Sequence, residues 1–266
     1  MQIVNEKIGK LEYLRAENIS ASHCFTTRMG GVSTGHLAWL NLGAHRGDDL
    51  ANVLENYRIL AQAMDFDLDR LVLSHQTHTD IVRVVTRENA NLYTDSHNDP
   101  ECDGLITNDP GVTLGVFTAD CTPILLSDPV TGAVGAVHAG WRGTAADIAG
   151  KAVKAMERHF GCRPEDIRAA IGPNIGACCF ETDADVPQAL LAALPEAAPY
   201  IRQEGNKFYP DLKQINALFL GRAGVTSIAI STECTMCSCH RFWSHRATRG
   251  LRGSQGAFIT RKEDSQ

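Results

Sequence analysis

The sequence lacks the features that mark nucleic-acid-binding, membrane and secreted proteins. Its 25 Lys and Arg residues are outnumbered by 31 Asp and Glu residues, and the net charge of −6 offers no overall positive field to a nucleic-acid backbone. No apolar run approaches the roughly 18 residues that a membrane span needs, and the opening segment carries charges throughout. We therefore expect a cytoplasmic monomer or weak homodimer that binds small molecules rather than membranes or nucleic acid.

The sequence also lacks the signs of a divided chain. It contains no internal repeat, low-complexity tract or Ser/Gly-rich linker, and apolar segments recur along its 266 residues, of which 44% are hydrophobic. This is enough for a sizeable core, so we predict a single domain over residues 1–266. The nine cysteines are odd in number and follow no signal peptide, and we interpret them as free thiols.

Several well-known catalytic patterns are missing. The glycine-rich segment TRMGGVSTG at 27–35 has neither the GxGxxG nor the GxxxxGK[ST] spacing of a nucleotide phosphate loop. No GxSxG elbow and no HExxH helix is present. The chemistry therefore has to come from other residues.

The apolar periodicity predicts helices alternating irregularly with strands. A helix from Thr144 to residue 160 is the best marked, with Thr144 as its N-cap and Gly161 after its end. The runs at 123–128 and 133–139 are predicted to form a hairpin across the turn-like DPVTG. Consecutive strands mixed with helices favour an α+β fold. The other predicted elements are helices near 51–64, 184–193 and 211–222, and strands at 81–85, 112–119, 167–171, 225–231 and 256–260.

Three residues near predicted strand ends could form a metal site. His75 lies in SHQTH ahead of one strand, Cys121 ends the ADC segment, and His138 lies in VHAGWRGT. Two imidazoles and a thiolate suit zinc and leave a fourth position for water or substrate. The gaps between these residues match no local zinc pattern, so two hydrogen-bonded histidines and a buried thiol are the alternative interpretation.

The AGWRGT segment suggests an anion site. Gly140 and Gly143 allow close approach of the backbone, and a helix opening at Thr144 would present free amide groups to a phosphate. Arg142 could add a charge-assisted contact. An ordinary tight turn with a solvated arginine is the alternative.

Other chemically active side chains have more than one interpretation. Asp120 could orient a ligand and Glu181 could act as an acid or base, although structural hydrogen bonding explains either one. The CTMCSCH segment at 234–240 has one CxxC pair but no second pair to complete a zinc knuckle. We interpret its cysteines, and the adjacent Cys178 and Cys179, as packed or surface thiols.

Eight segments in order and spacing resemble the bacterial YfiH family, also called the laccase-domain or multicopper polyphenol oxidase family. The likeness extends from about Ser22 to Ile259, and its ADC and HAGWRGT elements are highly specific. The segments are TTRMGGVSTG, LNLGAHRGDD, SHQTHTDIV, DGLITNDPGV, TADCTPILLSDP, GAVHAGWRGT, IGPNIGACCFE and FWSHR.

The resemblance implies a four-layer α/β/β/α sandwich with mixed sheets, related to cysteine-hydrolase-like toxins. It implies that His75, Cys121 and His138 hold the metal, with zinc expected and copper as the alternative, and that Asn41 and Arg246 contact substrate. It further implies a purine nucleoside phosphorylase that cleaves adenosine, inosine and methylthioadenosine with phosphate and also deaminates adenosine. Many relatives carry a TGRQ-like stretch where this chain has RGSQ at 252–255, which leaves the role of an arginine there open.

Three alternative functions remain at this stage. Histidine and cysteine ligands also suit copper, so a copper-dependent phenol oxidase is one. A cysteine hydrolase with Cys121 as nucleophile and His138 as base, acting on cell-wall precursors, is the second. A zinc-stabilised interaction module that uses the cysteines at 234–239 is the third.

Overall fold

The computed structural model describes residues 2–89 and 100–261. The strands are β1 (Ile3–Ile8), β2 (Leu11–Ala16), β3 (Ser22–Thr26), β4 (Leu71–Leu73), β5 (Val82–Val84), β6 (Gly104–Thr107), β7 (Thr113–Thr118), β8 (Thr122–Ser127), β9 (Val134–Ala139), β10 (Arg168–Ile171), β11 (Ile201–Glu204), β12 (Lys207–Pro210), β13 (Ser227–Ile230) and β14 (Gln255–Thr260). The helices are α1 (Leu50–Met64), α2 (Trp141–Ala145), α3 (Ile148–Phe160), α4 (Asp185–Ala193), α5 (Leu212–Arg222) and α6 (His245–Thr248).

The first six-stranded sheet has the order β1-β2-β3-β14-β7-β4. Its neighbouring strands are antiparallel except for β4 and β7, which are parallel. Helix α1 packs against this sheet through one apolar face that includes Val53, Tyr57 and Leu60. The side chain of Asp49 accepts a hydrogen bond from the Ala51 amide and caps the start of that helix.

The second six-stranded sheet has the order β13-β10-β8-β9-β6-β5. Its outer pairs are parallel and its inner pairs are antiparallel. The predicted hairpin is confirmed, because β8 and β9 pair antiparallel over their whole length. Helices α3, α4 and α5 share an apolar core with this sheet.

A separate apolar core lies between the two sheets. It joins Leu114 and Val116 of β7 to Leu125 of β8 and Ala136 of β9. The expected mixture of helices with mixed sheets is therefore confirmed. The α/β/β/α layer order and the relation to cysteine-hydrolase-like toxins stay predictions.

The helix predicted from Thr144 to residue 160 is in fact two helices. The five-residue α2 ends at Ala145, and Asp147 then adopts a left-handed conformation (φ 57°) and caps α3 by accepting from the Gly150 amide. Gly161 follows the helix as expected, also left-handed. Thr144 is therefore not an N-cap; it is a buried residue inside α2.

Two expectations drawn from composition can also be compared with the structure. All nine cysteines are free thiols, as predicted. Among residues 2–89 and 100–261, none of the helices combines the length and the apolar character required to span a bilayer.

Candidate metal centre and cavity

Cys121, His138 and His78 converge where the first and second sheets meet. Cys121 follows β7 after a tight turn in which Asp120 is left-handed (φ 91°), and His138 lies near the end of β9. The nitrogen and sulfur atoms that these three side chains offer all lie within 4.8 Å of one another. The Nε2 atom of His78 is 3.8 Å from the Cys121 sulfur. Two imidazoles and a thiol in this arrangement could hold one metal ion.

Asp103, immediately before β6, orients both histidines. It is fully buried, and its Oδ1 lies 2.6 Å from Nδ1 of His138. The same carboxylate accepts hydrogen bonds from the backbone amides of Thr77, His78 and Thr79. These bonds fix the loop in which His78 is left-handed (φ 65°). Because Nδ1 of His138 is occupied, its Nε2 is the nitrogen left to bind a metal.

The electrostatics of the group favour a thiolate. Burial favours the neutral thiol, but the positive charge of His138 and hydrogen bonds from both imidazoles outweigh it and lower the pKa of Cys121 to about 6. Burial likewise favours the neutral form of His138, but the Cys121 thiolate and Asp103 raise its pKa to about 9. These interactions favour the thiolate form of Cys121, which is the form in which cysteine binds a metal.

Gly140 makes room for this group. A Cβ atom at that position would lie 2.7 Å from Cδ2 of His78 and 3.4 Å from the Cys121 sulfur. Its backbone (φ −66°, ψ 171°) is open to any residue, so the constraint is space rather than conformation.

A cavity of about 420 Å³ opens beside the three side chains. This volume lies in the range of small-molecule sites. Besides His78, Cys121 and His138, its walls include two aromatic rings, two further imidazoles and two guanidinium groups: Tyr57, Phe117, His45, His75, Arg46 and Arg252.

Arg252 adds positive charge to the wall of the cavity. Its Nε is buried and has no hydrogen-bond partner among the described residues. Burial and then the neighbouring charge of Arg46 lower the pKa of Arg252 to about 10. Two guanidinium groups that repel one another at the wall of a cavity would be stabilised by an anion between them.

The sequence profile of a family described as multi-copper polyphenol oxidoreductase laccase matches residues 22–262. The chain belongs to this family. It is 42% identical over 245 residues to the protein named purine nucleoside phosphorylase YlmD from Geobacillus stearothermophilus, covering 90% of this chain and 89% of that one. The resemblance to YfiH-type proteins drawn from the sequence is thereby confirmed.

Solved structures of relatives in the laccase family have the same fold. The crystal structure of YlmD from Geobacillus stearothermophilus has a TM-score of 0.92 with 39% identity, and covers 98% of this chain and 100% of that chain. That of the hypothetical protein YfiH from Bacillus licheniformis has a TM-score of 0.91 with 33% identity, covering 97% and 99%.

The structure corrects one member of the ligand set expected from the sequence. Cys121 and His138 converge as expected, but the third side chain of the group is His78 rather than His75. His75 lies in a backbone bridge with Glu101, and its ring lines the same cavity. The reason is the left-handed turn at His78, which Asp103 fixes and which brings that ring to Cys121.

The expected phosphate site at the AGWRGT segment is also corrected. The Thr144 hydroxyl is buried and accepts a hydrogen bond from Asn216, and Gly143 is buried in the five-residue α2. Arg142 is exposed, lies over the Trp141 ring at 4.2 Å and does not line the cavity. Of the residues proposed in that segment, only Gly140 contacts the metal group.

Four further candidates lie outside the cavity wall: Asn41, Asp120, Glu181 and Arg246. Asn41 is fully buried, donates to Asp48 and accepts from the Gly43 and Ser254 amides. Since Gly43 and Ser254 line the cavity, Asn41 shapes its wall from behind.

Asp120, Glu181 and Arg246 form a second structural network. Asp120 accepts from the Thr235 hydroxyl and the Arg246 amide, and the Arg246 guanidinium donates to the carbonyl of Glu181. The Glu181 carboxylate is exposed and accepts from Tyr209. These contacts hold the turn before Cys121 and place none of the three side chains in the cavity.

Sequence reasoning missed His78, Asp103, Arg46 and Arg252. His78 is in the same SHQTH segment as His75, and periodicity alone cannot tell which imidazole faces the site. Arg252 is in the RGSQ segment whose arginine had an open role, and the structure shows that it lines the cavity.

Proposed function

We propose that the protein is a purine nucleoside phosphorylase that cleaves adenosine, inosine and methylthioadenosine with phosphate, and that also deaminates adenosine. The observation that carries the proposal is one cavity whose wall combines the His78, Cys121 and His138 group with Arg46 and Arg252. The name of the YlmD relative supports the reaction, and the cavity supplies a place for both substrates.

Arg46 and Arg252 are the proposed phosphate ligands. Both guanidinium groups lie in the cavity wall, and their positive charge matches a phosphate dianion. Holding phosphate against the anomeric carbon would supply most of the catalysis, because the reaction needs alignment and stabilisation of an oxocarbenium-like state.

Phe117 is the proposed contact for the nucleoside. It is fixed from its backbone, since Gln76 accepts from its amide at 2.6 Å and donates to its carbonyl at 2.7 Å. Its partly exposed ring offers apolar surface to the cavity, which suits a purine. Tyr57 is almost fully buried and donates its hydroxyl to the Leu42 carbonyl, so it supports the wall from behind. His75 lines the same wall, and we propose that it exchanges a proton with the bound substrate.

His78, Cys121 and His138 fit a zinc ion. The Cys121 thiolate forms readily, Nε2 of His138 is available, and Asp103 supports the ring from behind. A zinc ion held there would supply Lewis-acid chemistry at an open coordination position, which is what deamination of adenosine requires. Copper is the alternative metal, with phenol oxidation as its reaction, and metal analysis of protein purified without added copper distinguishes the two.

A second candidate function rests on the same residues. Cys121, His138 and Asp103 line up as a thiolate, an imidazolium and a buried carboxylate, which is the arrangement of a cysteine hydrolase. Such an enzyme would act on an acyl substrate, of which a cell-wall precursor is one example. An alkylating substrate analogue that traps Cys121 in metal-free protein, with activity that survives chelation, would establish it.

The decisive experiment is incubation of the protein with adenosine and with inosine, each with and without phosphate, followed by identification of the products. We expect hypoxanthine and ribose 1-phosphate from inosine only when phosphate is present, and inosine from adenosine. Cys121→Ala should abolish the deamination. Release of base without phosphate, or full deaminase activity of Cys121→Ala, would refute the proposal.

A further inference from the structure

A second group of metal-ligating side chains lies apart from the cavity. Cys178 and Cys179 follow β10, whereas Cys234 and Cys237 follow β13, and the four sulfur atoms all lie within 4.8 Å of one another. None of these residues lines the cavity. The interpretation of both cysteine segments as unrelated thiols is therefore incomplete, because the fold brings the two segments together.

The parallel pairing of β10 with β13 causes this convergence. The register that pairs Ile171 with Ile230 continues past the strands to a bridge between Asn174 and Cys234. The loops that follow two neighbouring parallel strands leave from the same edge of the sheet. A Cβ atom at Gly176 would lie 3.3 Å from both the Cys178 sulfur and Cβ of Cys234, so this glycine lets the two loops approach closely.

The spacing of the sulfurs is that of a single tetrahedral ion. The Cys237 sulfur is 3.6 Å from that of Cys178 and 3.4 Å from that of Cys179. In a tetrahedral zinc site with Zn–S distances of about 2.3 Å, sulfurs are about 3.8 Å apart. Sulfurs in a disulfide are about 2.05 Å apart.

The local hydrogen bonds and charges also suit a cation. The Cys234 sulfur accepts a hydrogen bond from the Gly176 amide at 3.2 Å. An amide that donates to a sulfur favours its thiolate form, which is the form that binds a metal ion. Four sulfurs in contact can all be thiolates only if a cation shares their charge.

We propose that Cys178, Cys179, Cys234 and Cys237 bind a zinc ion in a closed, structural tetrahedral site. All four coordination positions are filled by protein, so this ion has no place for substrate. Cys239 and His240 are exposed and outside the group, so the CxxC pair of Cys234 and Cys237 is completed by the vicinal pair of the other loop.

The site would fix the turn that carries Cys121. The Thr235 hydroxyl, next to Cys234, donates to Asp120 at 2.6 Å, and the Ile175 amide donates to the Asp120 carbonyl at 2.9 Å. Both loops of the proposed zinc site therefore hold the residue that precedes Cys121. Loss of the ion should loosen this turn and lower the thermal stability of the protein.

The test is metal reconstitution in a Cys121→Ser background, in which the cavity group is disabled and this proposal becomes independent of the proposed function. Metal-free, reduced Cys121→Ser protein is titrated with Co²⁺ and then Zn²⁺. We expect one Co²⁺ per chain with intense sulfur-to-cobalt charge-transfer absorption and tetrahedral d–d bands, and displacement by Zn²⁺. Adding Cys237→Ser should remove or strongly weaken these bands, whereas adding Cys239→Ser, an exposed cysteine outside the group, should leave them unchanged.

The outcome is informative even if the Cys237→Ser variant folds poorly. Absence of cobalt–thiolate absorption in the folded Cys121→Ser protein would overturn the proposal. So would retention of full binding by folded Cys121→Ser/Cys237→Ser, or isolation of wild-type protein without zinc and lighter by two hydrogens, the mass of an intramolecular disulfide.

Discussion

The Asp103 carboxylate and the His138 imidazole form a buried contact at 2.6 Å that joins two strands of the second sheet behind the proposed metal centre. Asp103 also accepts from the amides on either side of His78. One carboxylate thus fixes the ring orientation of one proposed ligand and the loop conformation of another. Substitution of Asp103 therefore tests how the ligands are oriented without removing a ligand.

Asp103→Asn should weaken binding of zinc at the cavity by about 10- to 100-fold, the usual effect of losing a carboxylate behind a histidine ligand. The Asn side chain has one acceptor oxygen instead of two, so it cannot accept hydrogen bonds from both Nδ1 of His138 and the loop amides as the carboxylate does. Competition with a chromophoric chelator measures the affinity, and circular dichroism checks the fold. Asp80→Asn, which removes an exposed carboxylate paired with Lys151, should bind zinc like the wild type; equal affinity of all three proteins would contradict this role of Asp103.

Arg252→Met should raise the KM for phosphate in inosine cleavage by about 10- to 100-fold, the loss expected for a hydrogen bond to a charged group. The KM of Arg252→Met for inosine should change much less than its KM for phosphate. Arg142→Met is the matched control, because Arg142 is exposed over Trp141 and should be dispensable. The reverse result, with phosphate affinity lost in Arg142→Met and retained in Arg252→Met, would restore the anion site first expected at AGWRGT.

Gly140→Ala should reduce kcat/KM for deamination of adenosine by about 10- to 100-fold, because the new methyl group would lie 2.7 Å from His78 and displace the ring from Cys121. The unfolding temperature should fall little, since the backbone conformation suits alanine. Gly221→Ala, in α5 with nothing within 4 Å of the added Cβ, should keep full activity and gain up to about 1 kcal/mol of stability. Equal activity of the two variants would contradict the crowding argument.

His23 should make the protein less stable in mild acid. Nε2 of this buried ring accepts from the Ala16 amide, Nδ1 bonds to the Ala21 carbonyl, and burial lowers its pKa from 6.5 to about 4. The unfolded chain takes up the proton below about pH 6.5 while the folded chain does not until about pH 4, so this stability is lost as the pH falls between those values.

Urea unfolding at pH 7 and pH 5 tests this assignment. The wild type should lose about 2 kcal/mol more than His23→Gln between these pH values, at roughly 1.36 kcal/mol per pH unit. His159→Gln, which removes an exposed imidazole, should follow the wild type. If His23→Gln loses as much stability as the wild type, the buried neutral ring is not the cause.

Local pattern was enough to predict helices α1, α4 and α5 and seven of the fourteen strands in the described residues, because each of these elements depends on its own sequence. Strands β1 to β4, β6, β11 and β12 were not predicted. The α1 helix and the β8 and β9 hairpin were predicted in this way. The break between α2 and α3 was not, since the apolar spacing runs on through Ala145 and Ile148 and conceals the left-handed Asp147. A residue that can both cap and continue a helix gives no periodic signal.

Prediction of the site required contacts between residues that are distant in the sequence, and apolar periodicity contains no information about such contacts. His78 is oriented by Asp103, 25 residues away, so the choice between it and His75 could not be made inside SHQTH. The convergence of Cys179 with Cys237, 58 residues apart, follows from the parallel pairing of β10 and β13. A prediction of that strand order would have brought the two cysteine segments together.

Zinc content of His78→Ala and His75→Ala, measured after dialysis against a weak chelator, tests the assignment of the metal centre most directly. We predict that His78→Ala holds one zinc ion per chain fewer than the wild type, whereas His75→Ala holds as many as the wild type. Loss of the ion from His75→Ala with retention in His78→Ala, or full retention in both variants, would contradict a centre built from His78, Cys121 and His138.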